Sequence, residues 1–147
     1  CTVHGNQAMM EAAVSARANG LKVLAVTVLT SLDRGDLDDL GFACDVEQLV
    51  RSRARRAQQA GCDGVVSSGR EAAQLRADGL DRLLIVTPGI RPVDNREESD
   101  QKRVVTPTAA IAAGADYLVV GRPIRDASDP RAAALRIQDE IAHAVGE

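Results

Sequence analysis

Short apolar runs alternate with longer mixed segments along the whole chain, and this alternation is the strongest signal that the sequence carries. Thr2-Val3-His4-Gly5 reads as the end of a strand running into a turn, followed by a helix from about Gln7 to Ala18 that Gly20 stops. Leu21 to Leu29 is almost unbroken Leu, Val and Ala apart from Lys22 and Thr27, which predicts a central parallel strand buried on both faces. Thr30 to Cys44 is polar, with a short helical turn over Asp36–Leu40. Asp45 then caps a helix from Val46 to Ala60, which Gly61 ends. Gly64–Ser67 is a short strand, and Ser68 and Glu71 have the spacing of a capping box on the helix that follows, which ends near Gly79. Arg82–Val86 is the next strand and Thr87-Pro88-Gly89 stops it. Thr106-Pro107 opens a helix that ends at Gly114, Tyr117–Val120 is a strand, and Asp129-Pro130 opens the last helix. Ala133, Leu135, Ile137, Ile141 and Val145 form the apolar face expected of that helix.

The order is therefore strand then helix, repeated along the chain at intervals of roughly 20 to 30 residues, the rhythm of right-handed βαβ crossovers in a parallel sheet. No linker or compositional break marks a second domain. Two closures fit this rhythm: a free-standing doubly wound sheet, or the last units of an eight-unit barrel. The start at Cys1, inside what reads as a strand end, favours the barrel and a C-terminal portion of a longer chain.

Composition narrows the chemistry. The chain has 147 residues, a formal net charge of -3, no Trp, and Phe42 and Tyr117 as its only aromatics. The interior must then be built from Ala, Val, Leu and Ile, and stacking of nucleic-acid bases has no aromatic platform. No Lys/Arg block exceeds Arg55-Arg56, so no nucleic-acid footprint is expected. Cys1, Cys44 and Cys62 lack metal-ligand spacing and read as reduced thiols of a cytosolic, cytoplasmic protein. No apolar segment approaches the roughly 20 residues of a membrane span.

Candidate chemistry collects where strands end. In either closure the loops at the carboxyl ends converge on the active site, and those loops carry His4, Thr30 with Ser31, Ser67 with Ser68, Arg91, and Arg122. Gly121 ends an apolar run and Arg122 follows at once, a pairing that suits an anion held by backbone N–H groups and a guanidinium fork. Arg91 follows the preceding strand, so the two arginines can reach one anionic ligand. Residues from Pro88 to about Val105 form a charged loop of about 17 residues, long for a compact α/β unit and hence a candidate substrate loop. His143 makes no triad with His4 by any spacing rule. Neither a metal-ligand motif nor a glycine-rich nucleotide loop is present.

Four separated stretches, in order, resemble the orotidine 5'-phosphate decarboxylase family: Leu24-Ala25-Val26-Thr27-Val28-Leu29-Thr30-Ser31, Val86-Thr87-Pro88-Gly89-Ile90-Arg91-Pro92, Asp100-Gln101-Lys102-Arg103-Val104 and Gly121-Arg122-Pro123-Ile124. The resemblance implies an α/β fold, a (β/α)8 TIM barrel of which residues 1–147 supply about the last five β/α units. It implies decarboxylation of orotidine 5'-monophosphate to UMP and CO2 in pyrimidine biosynthesis, without metal or organic cofactor, by a homodimer whose sites receive an aspartate from the partner subunit. By the same resemblance Arg91, Gln101, Gly121 and Arg122 hold the 5'-phosphate, Thr30 lies against the nucleotide, and Ser31 hydrogen-bonds the pyrimidine. Gln101 would bridge phosphate and base when its loop closes as a lid. The family's Asp-x-Lys-x-x-Asp motif, whose lysine protonates the C6 carbanion, has no counterpart here, so no catalytic residue is expected in this chain. Lys22 lies at the wrong end of its strand and Lys102 on the outgoing side of the loop. Two other readings remain beside this one. One is a sister phosphate-binding barrel, a keto-sugar-phosphate decarboxylase or synthase or a ribulose-phosphate epimerase. The other is a non-catalytic truncated phosphate binder.

Overall fold

A computed structural model describes residues 1–92 and 103–146. The elements run β1 (Thr2–Val3), α1 (Gln7–Ala16), β2 (Leu24–Val26), α2 (Arg34–Asp39), α3 (Val46–Gln59), β3 (Gly64–Val66), α4 (Gly69–Ala77), β4 (Leu84–Thr87), α5 (Pro107–Ala112), β5 (Tyr117–Leu118), α6 (Arg122–Arg125) and α7 (Pro130–Val145). The helix starts read from the sequence are present as chemistry. Asp45 accepts from the Gln48 N–H, Thr106 from Ala109 and Asp129 from Ala132, the last two with proline in the first turn.

All five strands are parallel, and their spatial order is β1-β2-β3-β4-β5, the order of the sequence. This order decides between the two closures. A doubly wound sheet reverses direction at a switch point and puts helices on both faces. Here every right-handed crossover advances one strand the same way, so the helices collect on one face only, as in the wall of a barrel. The doubly wound alternative is thereby overturned, and the architecture is that of an α/β barrel, with β1 and β5 as the two edges of the arc among the described residues.

Side-chain alternation agrees with that wall. Ala25, Val65 and Ile85 share one register line and are buried against Val50, Ala54 and Ala57 of α3 and Ala72 and Leu75 of α4. Leu24, Val26, Val66, Leu84 and Val86 point to the other face and are only half-buried. On that face Gly64 sits between Leu24 and Leu84, and a Cβ there would come within 2.4 Å of the Leu84 carbonyl oxygen, so no larger residue fits.

The strands are shorter than the apolar runs. Only Leu24–Val26 of the run Leu21–Leu29 joins the ladder, and Leu29 is exposed. The chain turns out of the sheet after Thr27, so the end of the run does not mark the end of the strand. The last helix buries Ala133 and Ile137, whereas Leu135 and Val145 are exposed, correcting the apolar face read from spacing.

Two aspartates bind the amino ends of the strands. Asp63 accepts the Val23 N–H (2.9 Å) and pairs with Arg17 (2.8 Å) and Lys22 (3.4 Å). Asp116 repeats the arrangement one layer on, accepting the Ile85 N–H (2.7 Å) and pairing with Arg76 (2.7 Å). Each carboxylate satisfies a ladder-end donor that no neighbouring strand reaches. Lys22 is thus engaged at the end opposite the predicted site.

Candidate phosphate and base site at the carboxyl rim

The buried polar and charged side chains among the described residues are Thr27, Thr30, Ser67, Ser68, Glu71, Thr87, Arg91 and Arg103. Every one lies at the carboxyl end of a strand or in the segment that follows it. Burying a polar group costs free energy unless it is hydrogen-bonded. A cluster confined to one rim of the sheet therefore marks a place where the fold carries a cost that apolar packing would avoid.

The predicted site residues other than Gln101 follow strands at this rim. Val26 pairs with Val66 on β3, and Thr30 and Ser31 follow four and five residues beyond Val26; Thr30 is buried and Ser31 half-buried. On the other side, Thr87 pairs with Leu118, and Arg91 and Arg122 each stand four residues past that pair. The two arginines thus follow neighbouring strands by the same number of residues. Arg91 is buried, and its backbone N–H is held by the Val105 carbonyl at 2.9 Å. Arg122 opens α6 and is half-buried. Gly121 is exposed, and a Cβ added to it would meet no atom of the described residues within 4 Å. Among the described residues the space beside Gly121 is open, so a backbone N–H there is accessible to an external group. Gln101 lies outside the described residues.

Arg103 and Glu71, which the sequence reading did not assign to the site, form a buried ion pair on this rim. The Arg103 guanidinium donates from Nη1 to Glu71 Oε1 at 2.7 Å and from Nη2 to the carbonyls of Val28 (3.0 Å) and Leu29 (2.9 Å). The Ser67 hydroxyl donates to Glu71 Oε2 at 3.4 Å, and the Ser68 hydroxyl donates to the Arg103 carbonyl at 3.1 Å. The expected capping box is corrected by this geometry. Ser68 caps the Arg70 N–H at 3.3 Å, and the Glu71 carboxylate turns inward, because a buried guanidinium needs its charge. Burial pushes the Glu71 carboxyl above the ordinary range, opposed first by Arg103 and then by Ser67.

The histidines take no part in such a cluster. His4 Nδ1 lies 3.4 Å from the Val26 carbonyl in an exposed setting, and His143 Nδ1 contacts the Asp139 carbonyl of its own helix at 2.6 Å. Among the described residues no group of three His, Cys, Asp or Glu side chains is placed to hold a metal ion, and no helix is long and apolar enough to cross a membrane.

Comparison with known proteins bears on this site. The profile of the orotidine 5'-phosphate decarboxylase / HUMPS family matches residues 1–137. The chain is 65% identical over 140 residues to an orotidine 5'-phosphate decarboxylase of Methylococcus capsulatus, covering 95% of this chain and 57% of that protein. It is 54% identical over 145 residues to that of Nitrobacter winogradskyi, covering 98% of this chain and 60% of the relative. The crystal structure of orotidine 5'-phosphate decarboxylase from Lactobacillus acidophilus superimposes with a TM-score of 0.76 at 36% identity, over 95% of this chain and 62% of that one. The chain therefore spans about three fifths of the length of the relatives it matches. With its sequential parallel wall and its polar carboxyl rim, the chain belongs to the orotidine 5'-phosphate decarboxylase / HUMPS family.

Proposed function

We propose that the complete protein carrying this chain converts orotidine 5'-monophosphate to UMP and CO2, and that residues 1–147 supply its substrate-gripping part, about the last five units of a (β/α)8 barrel. The observation that carries this reading is the pair of arginines each four residues past the paired Thr87 and Leu118 of neighbouring strands β4 and β5, in a chain 54–65% identical to relatives bearing the decarboxylase name.

In this reading Arg91 and Arg122 clamp the 5'-phosphate, and the open backbone at Gly121 lets its N–H approach the same group. Thr30 and Ser31, two strands away across β3, face the nucleotide and the pyrimidine. Gln101 is assigned to phosphate and base on the resemblance alone. The strand spacing of about 4.8 Å puts the β2 and β5 rims roughly 14 Å apart along the arc, a span suited to a nucleotide lying across it.

The reaction breaks the bond from C6 to its carboxylate. CO2 departs, the electron pair stays on C6, and a proton must be delivered there. This chain contributes binding, orientation and exclusion of water to that step. It holds no Asp-x-Lys-x-x-Asp, Lys22 is bound to Asp63 at the opposite rim, and Lys102 lies outside the described residues. On the family resemblance, the proton donor is assigned to the rest of the complete protein, and the assembly to a homodimer in which the partner adds an aspartate.

Decarboxylation of orotidine 5'-monophosphate, assayed in parallel on the complete protein and on the 147-residue chain, tests this reading. Turnover by the complete protein and none by the chain is the expected result. Turnover by the chain at the rate of the complete protein contradicts the division of labour, and no turnover by the complete protein contradicts the activity.

A further inference from the structure

The Arg103–Glu71 pair is built for something other than stability. Arg103 and Glu71 are each only 6% exposed, and a buried ion pair replaced by apolar groups of similar volume is commonly neutral or even stabilising. What an apolar pair could not do is reach three separate loops. The Arg103 guanidinium ends on the carbonyls of Val28 and Leu29, directly before Thr30 and Ser31, and on Glu71 in the first turn of α4. Two residues further along the backbone, Val105 donates to the Gly89 carbonyl at 3.2 Å and accepts from the Arg91 N–H at 2.9 Å. Ser68 fixes the carbonyl of Arg103 itself.

We infer that Arg103 is a positioning residue, a buried bracket that sets the separation between the β2 loop presenting Thr30 and Ser31 and the β4 loop presenting Arg91. It touches neither substrate nor reacting atoms. Its side chain holds the base side of the site and its backbone run holds the phosphate side, so a nucleotide is bound by two half-sites at a fixed distance. The inference rests on the nucleotide reading given above. It goes beyond that reading by assigning the distance between the half-sites to one guanidinium. Lysine keeps the charge but is a point donor without the planar fork, so it cannot serve Glu71 and both carbonyls together.

The test uses the complete protein with Arg103→Lys and with the paired apolar replacement Arg103→Met/Glu71→Leu, which removes the bracket while stranding neither charge of the pair. Affinity is measured for UMP and for inorganic phosphate, and amide hydrogen exchange is followed at Leu32, whose N–H is held by the Leu29 carbonyl, and at Arg91 and Val105. Both variants are expected to bind UMP roughly 10- to 100-fold more weakly, the scale on which loss of a supporting contact behind a binding group is felt. Phosphate affinity changes by less than about threefold, because Arg91 and Arg122 remain. Exchange quickens at Leu32, Arg91 and Val105 but not at Val65 or Ile85 in the core. A purely structural role lowers the two affinities together, and that result overturns the bracket, as does unchanged UMP binding in the apolar double variant. If the unsubstituted protein binds UMP no better than phosphate, the nucleotide reading fails, and the exchange rates at the two loops then decide the bracket alone.

Discussion

The two rims of the same sheet solve the problem of strand ends in opposite ways. At the amino rim, Asp63 and Asp116 each take a ladder-end N–H and meet arginine or lysine partners that are partly in water. The charges sit where solvation is cheap, and each carboxylate serves a strand end. At the carboxyl rim, Thr30, Ser67, Ser68, Glu71, Arg91 and Arg103 are buried, and Arg103 ties together the loops of Val28 and Leu29, Ser68 and Glu71. One rim closes the fold, and the other holds polar groups at a desolvation cost. That division is the expected one for a parallel barrel wall, in which the amino face serves stability and the carboxyl face chemistry.

Substitutions that exchange the behaviour of the two rims give the sharpest contrasts. The largest effect is expected from Glu71→Ala, which strands the Arg103 charge in the interior. Removing one partner of a buried pair costs about 3–5 kcal/mol, read as a lower denaturant midpoint. Ile85→Ala, at the helix-facing core, costs about 2–5 kcal/mol of stability, and in the folded fraction UMP binding is unchanged. Stability and binding would then separate by location in the sheet.

Next comes Arg122→Ala, which reverses the pattern. Loss of a charge-assisted hydrogen bond is worth about 1.5–3 kcal/mol of UMP affinity, and the loss of affinity is expected to exceed the loss of thermal stability. Calorimetric titration with UMP beside thermal unfolding checks both halves of that statement.

The smallest effect is expected at the amino rim and is one of pH. The Val23 N–H, and after it Arg17 and Lys22, hold the Asp63 carboxyl below its ordinary value. Its stabilisation is present above the ordinary carboxylate pKa of about 4 and is lost as pH falls through the lowered folded value. Glu71 runs the other way. Because burial raises it, the folded state holds its proton more tightly, and its contribution to stability declines as pH rises from the ordinary value through the raised one. Unfolding curves of Asp63→Asn should lose acid sensitivity relative to the unsubstituted protein, whereas Glu71→Gln should lose the decline on the alkaline side of that window.

Much of the wall could be read from the chain, and most of what could not be read lies on the carboxyl rim. Asp45, Thr106-Pro107 and Asp129-Pro130 cap their helices as local chemistry requires, since cap and capped N–H are three residues apart. Strand order needed coordinates, because the alternation of strand and helix is the same in a barrel and in a doubly wound sheet. Ser68 and Glu71 have capping-box spacing, yet the box does not form. Glu71 answers instead to Arg103, 32 residues away, a distance at which spacing carries no signal. Arg103 was visible within Asp100-Gln101-Lys102-Arg103, but only its burial distinguishes it from a solvated arginine. Likewise Leu135 has the spacing of a core residue and is 45% exposed, because the helix offers its neighbours a narrower stripe than its apolar content suggests.

The central claim is that guanidinium groups from the loops after β4 and β5 grip the phosphate of a nucleotide. Titration of the complete protein with UMP and with uridine tests it most directly. Two charge-assisted contacts at about 1.5–3 kcal/mol each predict that uridine binds roughly 10²- to 10⁴-fold more weakly, and that Arg91→Ala/Arg122→Ala abolishes the difference. Equal affinity for the two ligands, or a difference that survives the double substitution, would contradict the account.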